Sequence, residues 1–436
     1  MNAGDIYTYV AYSSPIAAVL GYALLRASRT HRNIKTVQKV TAEGLVEPAS
    51  LHPVFDPKMC VGCGACVSAC PEGEVIGMIR GKAQLIHPTK CIGHGACKLS
   101  CPFDAITLVF GTETRGVDIP SVHPNFETNV PGIFIAGELG GMGLIRNAVA
   151  QGRQAMDNIA KLSGIGKDKS RDDVIIIGAG PAGFAASLGA HEKKLRYRTI
   201  EQDSLGGTVF KFPRGKLVMT APVKLPIVGT VKFRETKKEK LLAFWQEVEK
   251  RTQVKIHYRE KMETITRDGD GFIVKTNKGE YKTRAVLLAI GRRGTPRKLG
   301  VPGEDQSKVV YSLIDPEQYR NQHVLVVGGG DAAMEAATSI AEEEGTTVTL
   351  SYRNDAFSRA KEKNRKKVEQ MQASGQLNVL LKSNVKDIQP DKVIIEQDGK
   401  TMEFPNEAVI ICAGGILPTP FLKEIGIQVD TKHGTA

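Results

Sequence analysis

Val174-Ile175-Ile176-Ile177-Gly178-Ala179-Gly180-Pro181-Ala182-Gly183 decides the fold of the longer part of this 436-residue chain. Four apolar residues ending in Gly-x-Gly-x-x-Gly read as a buried strand, a tight turn and the start of a helix. The glycines let the backbone approach a pyrophosphate, whose charge meets the helix N-terminus. Alone, the motif says little. Here the next apolar run, Tyr197-Arg-Thr-Ile200, ends at Glu201, the spacing expected of an acid that binds ribose hydroxyls, and Gly206-Gly207-Thr208 follows. Together they point to an FAD unit.

A second unit begins at Val324-Leu-Val-Val-Gly328-Gly-Gly330-Asp331-Ala332-Ala333-Met-Glu335. Its second strand, Thr347 to Ser351, gives way to Tyr352-Arg353-Asn354 with no acid at the ribose position. Arg353, with Arg359 or Lys361 nearby, suits a 2′-phosphate, so NADP(H) is expected over NAD(H). The alternatives are NAD(H), or basic residues that are merely solvated.

Upstream lie Cys60-x-x-Cys63-x-x-Cys66-x-x-x-Cys70-Pro71 and Cys91-x-x-His94-x-x-Cys97-x-x-x-Cys101-Pro102, which take seven of the eight cysteines. A cubane cluster needs thiolates converging from a short loop, and this spacing supplies them twice. A zinc site would use ligands in two pairs and has no need of the repeated Pro. Two 4Fe-4S clusters are expected, and with them electron transfer. The eighth, Cys412 in Val409-Ile-Ile-Cys-Ala413, reads as a buried strand residue. Iron-bound thiolates imply a reducing compartment without disulfides. Val75–Ile79 and Ala83–Ile86 flank Arg80-Gly81-Lys82 as a hairpin between the runs.

Ile6 to Leu25 are twenty consecutive uncharged, mostly apolar residues, the length that spans a bilayer as a helix. Arg26, Arg29, His31, Arg32, Lys35 and Lys39 follow, and only Asp5 precedes. That asymmetry predicts a single-pass anchor in the cytoplasmic membrane, with the remaining domains on the cytoplasmic side. It is the reverse of a secretory signal. The alternative is a docking helix buried in a partner subunit.

The formal net charge is +12. Its lysines and arginines fall in short runs such as Lys361–Lys367, without interleaved aromatics or a nucleic-acid-binding motif, so nucleic acid is not an expected partner. With 41% hydrophobic residues the chain has enough for several cores.

The cysteine runs resemble those of bacterial two-cluster ferredoxins, over roughly residues 50 to 111. That resemblance implies one cluster on Cys60, Cys63, Cys66 and Cys101, and a second on Cys91, Cys97, Cys70 and the place of His94. Cysteine is usual there. Either imidazole ligates the fourth iron, or the site holds a 3Fe-4S cluster, or another group completes it; ligation is the reading favoured here, and it should raise the potential.

Residues 172 to 436 resemble the low-molecular-weight thioredoxin reductases, the ferredoxin–NADP reductases of that fold and the bacillithiol-disulfide-reductase-like flavoproteins. Shared landmarks are Ala289-Ile-Gly291-Arg292 with Val301-Pro-Gly-Glu304, and Ile411-Cys-Ala-Gly-Gly415. The family continues past the last motif into a final FAD-binding strand and helix, whereas this sequence stops at Ala436. Upstream, Glu127-Thr-Asn-Val-Pro-Gly132-Ile-Phe-Ile-Ala-Gly137-Glu138 and Leu144-Ile-Arg146-Asn147-Ala148-Val-Ala-Gln-Gly152 resemble that closing segment. The resemblance puts Glu138, where Asp is usual, at the ribityl–phosphate region and residues 146–148 at the flavin's pyrimidine edge. A circularly permuted flavoprotein is therefore expected. The redox cysteines of disulfide-reducing relatives are missing, with none between Gly303 and Glu403.

The expected fold class is α/β: two Rossmann-like domains, for FAD and NAD(P), plus an α+β dicluster ferredoxin domain and one N-terminal transmembrane helix. The expected segments are 1–40 (anchor and basic collar), 41–111 (ferredoxin), 112–162 (displaced FAD segment), 163–305 (FAD), 306–405 (NAD(P)) and 406–436 (return to FAD). Nicotinamide exchanges two electrons as hydride, clusters exchange one, and flavin converts between them. The function expected is a membrane-anchored NAD(P)H-dependent oxidoreductase serving a quinone or a redox protein. The alternatives are a conducting subunit of a membrane complex or, less favoured, a disulfide reductase. The chain could be a homodimer or one subunit of such a complex.

Overall fold

A computed structural model describes residues 3–43, 45–48, 51–91, 93–113, 116–141, 143–212, 214–219, 222–233, 236–292, 294–358 and 360–434, with backbone alone at 3–14, 217, 219 and 295. The chain divides into two compact units, Met1–Arg115 with His433–Ala436, and Gly116–Lys432.

The first unit opens with a 40-residue helix, α1 (Ala3–Ala42), which runs through Pro15. Ile16, Val19, Leu20, Tyr22, Leu24 and Leu25 are all exposed on it. Among the described residues no helix is long and apolar enough to cross a membrane. The transmembrane span expected at residues 6–25 is therefore not upheld there; its positions 6–14 lie outside the described side chains. The other end of α1 is packed down. Val40 is buried, and Asn33 Nδ2 donates to the Met78 carbonyl at 2.9 Å.

That contact reaches a small α+β module. Its elements are β1 (His52–Phe55), α2 (Ala65–Ala69), β2 (Ile76–Ile79), β3 (Lys82–Leu85), α3 (Ala96–Leu99) and β4 (Ile106–Val109). The outer strands β1 and β4 pair antiparallel and close the module around the two cysteine loops. Between β2 and β3, Arg80 and Gly81 both take positive φ, 50° and 79°, the two-residue turn whose twist matches its strands.

The second unit contains β5 (Val117–Pro120), β6 (Ile133–Ile135), α4 (Ile145–Ile159), β7 (Asp172–Ile177), α5 (Pro181–Glu192) and β8 (Tyr197–Glu201). A seven-stranded sheet runs Ile256–Tyr258, β8, β7, Gly279–Leu288, Gly271–Thr276, Met262–Asp268, with β6 also on Gly279–Leu288. β6, β7 and β8 are parallel to their neighbours there, and the pairing of Ile133–Ile135 with Val286–Leu288 brings an upstream segment into the sheet. Strand β7 is buried on both faces: Val174 and Ile176 pack under α4 and α5, and Ile175 and Ile177 against Leu139, Phe272, Val274 and Leu422. β5 pairs with Val429–Lys432.

Two glycines set the helix spacing. A Cβ on Gly183 would strike the Gly178 carbonyl, and one on Gly152 would strike the Ala182 carbonyl. Thus α5 sits tight on its turn and α4 tight on α5.

A parallel five-stranded sheet, ordered Val309–Val310, Ala408–Ile411, His323–Val327, Thr347–Tyr352, Leu377–Leu381, forms the second dinucleotide fold, with helix Asp331–Ala341 after its Gly turn. The strand expected to include Cys412 ends at Ile411. Cys412 is half-buried rather than buried; its N–H donates to the Val327 carbonyl at 2.7 Å and its own carbonyl lies against Gly328. The chain turns there to close the nucleotide loop.

Candidate functional site

The two cysteine runs fold alike because their glycines do. Gly62 and Gly64 have φ of 79° each, and Gly93 and Gly95 have 78° and 74°. These left-handed residues turn each loop before a short helix, a conformation costly for any side chain. The result is two cavities. One is lined by Cys60, Cys63, Cys66 and Cys101, with Phe55, Ala83 and Ile106. The other is lined by Cys70, Cys91, His94 and Cys97, with Glu72, Val75 and Ile76. Each run thus lends its last cysteine to the other run's cavity.

Among the described residues no three His, Cys, Asp or Glu side chains form a site that could hold a single metal ion. Four thiols in one ring, and three thiols with an imidazole in the other, suit an iron–sulfur cluster, which has a volume of its own. The electrostatics agree. Burial, then the neighbouring Cys60, pushes the Cys66 thiol up to about 11; burial is also the main cause at Cys91, likewise up to about 11, and it raises Cys97. Thiolates there need a cation to become favourable. His94 stands in the second ring, its Nε2 3.7 Å from Glu72 Oε1.

In the second unit, four sequence-distant pieces meet at the carboxyl ends of β6, β7 and β8. Glu201 Oε2 accepts the Ala179 N–H at 2.7 Å and Oε1 accepts the Asp203 N–H at 2.8 Å. Burial holds its carboxyl above the usual range, outweighing those two bonds. Gly206 N–H donates to the Ala179 carbonyl at 2.9 Å, and a Cβ on Gly207 would lie 3.3 Å from Gly180 Cα. Thr208 sits in the short turn Gly207–Val209. Gly137 comes from upstream: a Cβ on it would lie 3.0 Å from Ala182 Cβ, and its N–H donates to Gln151 Oε1 at 2.8 Å. Glu138 follows in a short turn of helix. Arg146, Asn147 and Ala148 form the first turn of α4, exposed, half-buried and buried in that order. Gly291, with φ 67°, follows Ala289, whose carbonyl lies against Gly178. Pro181 begins α5, where its missing N–H costs nothing. The cradle fits a dinucleotide with its pyrophosphate at the helix start.

At the second Gly turn, Gly328 has φ 143°, and Gly330 caps the helix with open space before it. Asp331 accepts the Lys361 N–H at 2.8 Å and Asn364 Nδ2 at 2.7 Å. Glu335 Oε2 pairs with Lys216 Nζ at 2.7 Å. Ala333 is buried; Ala332, beside it, is exposed. Arg353 is exposed just past the Thr347–Tyr352 strand, and Arg359 lies outside the described residues.

Several residues here had no sequence signal. Lys216 is one: Glu335, its partner 119 positions away, belongs to the expected nucleotide turn, but nothing around Lys216 points there. Gln151 and Asn364 are polar residues on helices. Tyr352 has no signal of its own beside Arg353, yet its ring packs on Gly329 and stacks with Phe357 at 5.4 Å between centroids.

Fold and site together define a flavin-dependent NAD(P)H oxidoreductase with a 4Fe-4S domain. Residues 175–435 match the family described as pyridine nucleotide-disulphide oxidoreductase, and the chain belongs to it. Residues 52–102 match the 4Fe-4S dicluster domain. Among curated proteins it is similar to the ferredoxin–NADP reductase of Ignicoccus hospitalis, 28% identical over 60% of this chain and 83% of that one. It is also similar to bacilliredoxin reductase Bdr of Bacillus subtilis, 25% identical over 61% of this chain and 83% of that one. Among solved structures it resembles the bacillithiol disulfide reductase of Bacillus cereus, with TM-score 0.53 and 25% identity over 60% of this chain and 83% of that one.

Proposed function

We propose that this protein is a membrane-tethered oxidoreductase that moves electrons between NADPH and a one-electron partner, through FAD and two iron–sulfur clusters. The observation that carries it is the pair of four-donor cavities on a chain that also builds two dinucleotide cradles. FAD would supply the conversion between paired and single electrons. The chain's own residues bind and orient. The turn at residues 178–183, with Glu201, Gly206–Thr208 and Gly291, holds the FAD pyrophosphate and ribose side. Gly137, Glu138 and the start of α4 would close the flavin side, where the α4 N-terminus would favour negative charge. The Gly328–Ala333 turn with Glu335 holds the nicotinamide nucleotide, and Arg353 with Arg359 selects the 2′-phosphate. His94 completes the Cys70, Cys91, Cys97 ring.

A closing segment that comes from upstream yet pairs with Gly279–Leu288 supports a circular permutation. The exposed apolar side chains from Ile16 to Leu25, followed at once by Arg26 and Arg29, support a tether with the other domains on the cytoplasmic side. A quinone or a small redox protein is the partner chemistry that single-electron clusters suit.

The test is anaerobic reconstitution followed by NADPH-driven reduction of an artificial one-electron dye by the isolated protein. Turnover is expected. Flavin that neither NADPH nor NADH reduces would favour a conducting subunit instead.

A further inference from the structure

The helix that carries the apolar run also touches one cysteine loop. Arg26 is the first charge after that run, and its Nη2 lies 2.8 Å from where a Cβ on Gly81 would stand, at the tip of the β2–β3 hairpin. The Gly81 carbonyl in turn lies directly against Gly62, inside the Cys60-to-Cys63 loop, and Lys82 Nζ donates to the Cys60 carbonyl at 2.6 Å. Arg26, the hairpin tip and this loop are therefore one contact chain.

The other cavity lies along α1 in the opposite direction. Asn33 is bonded to Met78, seven residues and about 10 Å farther down the helix axis. Beyond it, the open end of the hairpin supplies Val75 and Ile76 to the ring that holds His94.

The surface at the Arg26 end has the chemistry of a lipid interface. Met59 and Val61, on either side of Cys60, are 52% and 59% exposed, and Cys63 is exposed as well. Arg26, Arg29 and Arg32 are exposed on α1 before Asn33, and α1 carries no acidic residue after Asp5; the exposed Asp56 precedes the Cys60 loop. Apolar side chains beside the cationic stretch of α1, in which arginines outnumber the single nearby acid Asp56, match an anionic bilayer.

We infer that the Cys60–Cys63 loop faces an anionic lipid surface, so that the site of Cys60, Cys63, Cys66 and Cys101 is the membrane-proximal one and the His94 site the distal one. This rests on the tether proposed above. It adds an order to the two sites along α1.

The experiment uses the full-length, reconstituted and reduced protein on vesicles of phosphatidylglycerol and phosphatidylcholine, with or without a gadolinium chelate on the headgroups. Cosedimentation reports the tether. Paramagnetic resonance power saturation reports which site is nearer the lipid, and His94→Cys assigns the distal signal, with Cys63→Ser as the reciprocal marker. The signal that His94→Cys leaves unchanged should need several-fold more power to saturate when gadolinium is present, while the other changes little. Equal or reversed enhancement with the protein bound would overturn the order and leave the tether standing. Failure to cosediment would overturn both. Arg29→Gln with Arg32→Gln should weaken vesicle binding roughly thirtyfold, about fivefold per cation, and unchanged affinity would remove the collar from the interface.

Discussion

Gly152 of α4 lies against the carbonyl oxygen of Ala182 in α5, with no room for a side chain between them. One of these helices follows the upstream strand β6 and the other follows the first dinucleotide turn, so the contact ties residues 133–159 to the first dinucleotide cradle. Gly152→Leu should force the helices apart. Overpacking of this kind costs about 1–3 kcal/mol, and the variant should purify with several-fold less FAD per chain than the parent. Full flavin content at unchanged melting temperature would contradict the packing described.

The preference for NADPH proposed above rests on Arg353, a cation exposed just past its strand. Removing a charge-assisted bond to phosphate costs about 1.5–3 kcal/mol. Arg353→Ala should thus raise the KM for NADPH by roughly ten- to a hundredfold while leaving NADH nearly unaffected. Steady-state kinetics with both nucleotides checks it, and parallel losses for the two would remove Arg353 from 2′-phosphate recognition.

Cluster loading should depend on pH in a definite direction. Burial favours the neutral thiols of Cys66 and Cys91, both pushed up to about 11, and iron must displace their protons. Anaerobic reconstitution should therefore go faster as pH rises from about 7 to about 9, followed by visible absorbance. A flat profile would mean that the thiols are not the limiting groups.

Stability of the FAD domain should fall at low pH through Asp173. Burial would raise this carboxyl, but bonds from Arg196 at 3.1 Å and from the Gly166 N–H at 2.7 Å prevail and hold it below the usual range. A carboxyl depressed by folding contributes stability that is present above its unfolded value, about 3.9. That stability is lost as pH falls through the folded value. Asp173→Asn should cost about 1–3 kcal/mol at neutral pH, and the gap to the parent should close in acid. Denaturant midpoints at several pH values measure it; a constant gap would exclude the carboxylate charge as its source.

What the sequence makes legible is what depends on local spacing. The two cysteine runs show themselves because three side chains of each ring come from one loop, and Glu201 shows itself by its distance from the Gly turn. The reach of α1 past Ala27 onto the hairpin does not, since the Asn33–Met78 bond joins residues 45 apart. Nor does the Lys216–Glu335 pair, an ordinary surface combination in either segment taken alone. Hydropathy marks Cys412 as part of an apolar strand and does not register that the backbone turns at that residue to meet Gly328. The transmembrane reading used composition over twenty positions, of which only the later ones have described side chains, and those are exposed.

In the proposed function, hydride accepted from NADPH becomes single electrons at the cysteine rings of the same chain. Anaerobic titration of the reconstituted protein with NADPH, followed in parallel by flavin absorbance and by paramagnetic resonance, tests it most directly. The account predicts that reduced-cluster signals grow in as the flavin bleaches. A fully bleached flavin beside clusters that stay oxidised, though dithionite reduces them, would contradict it.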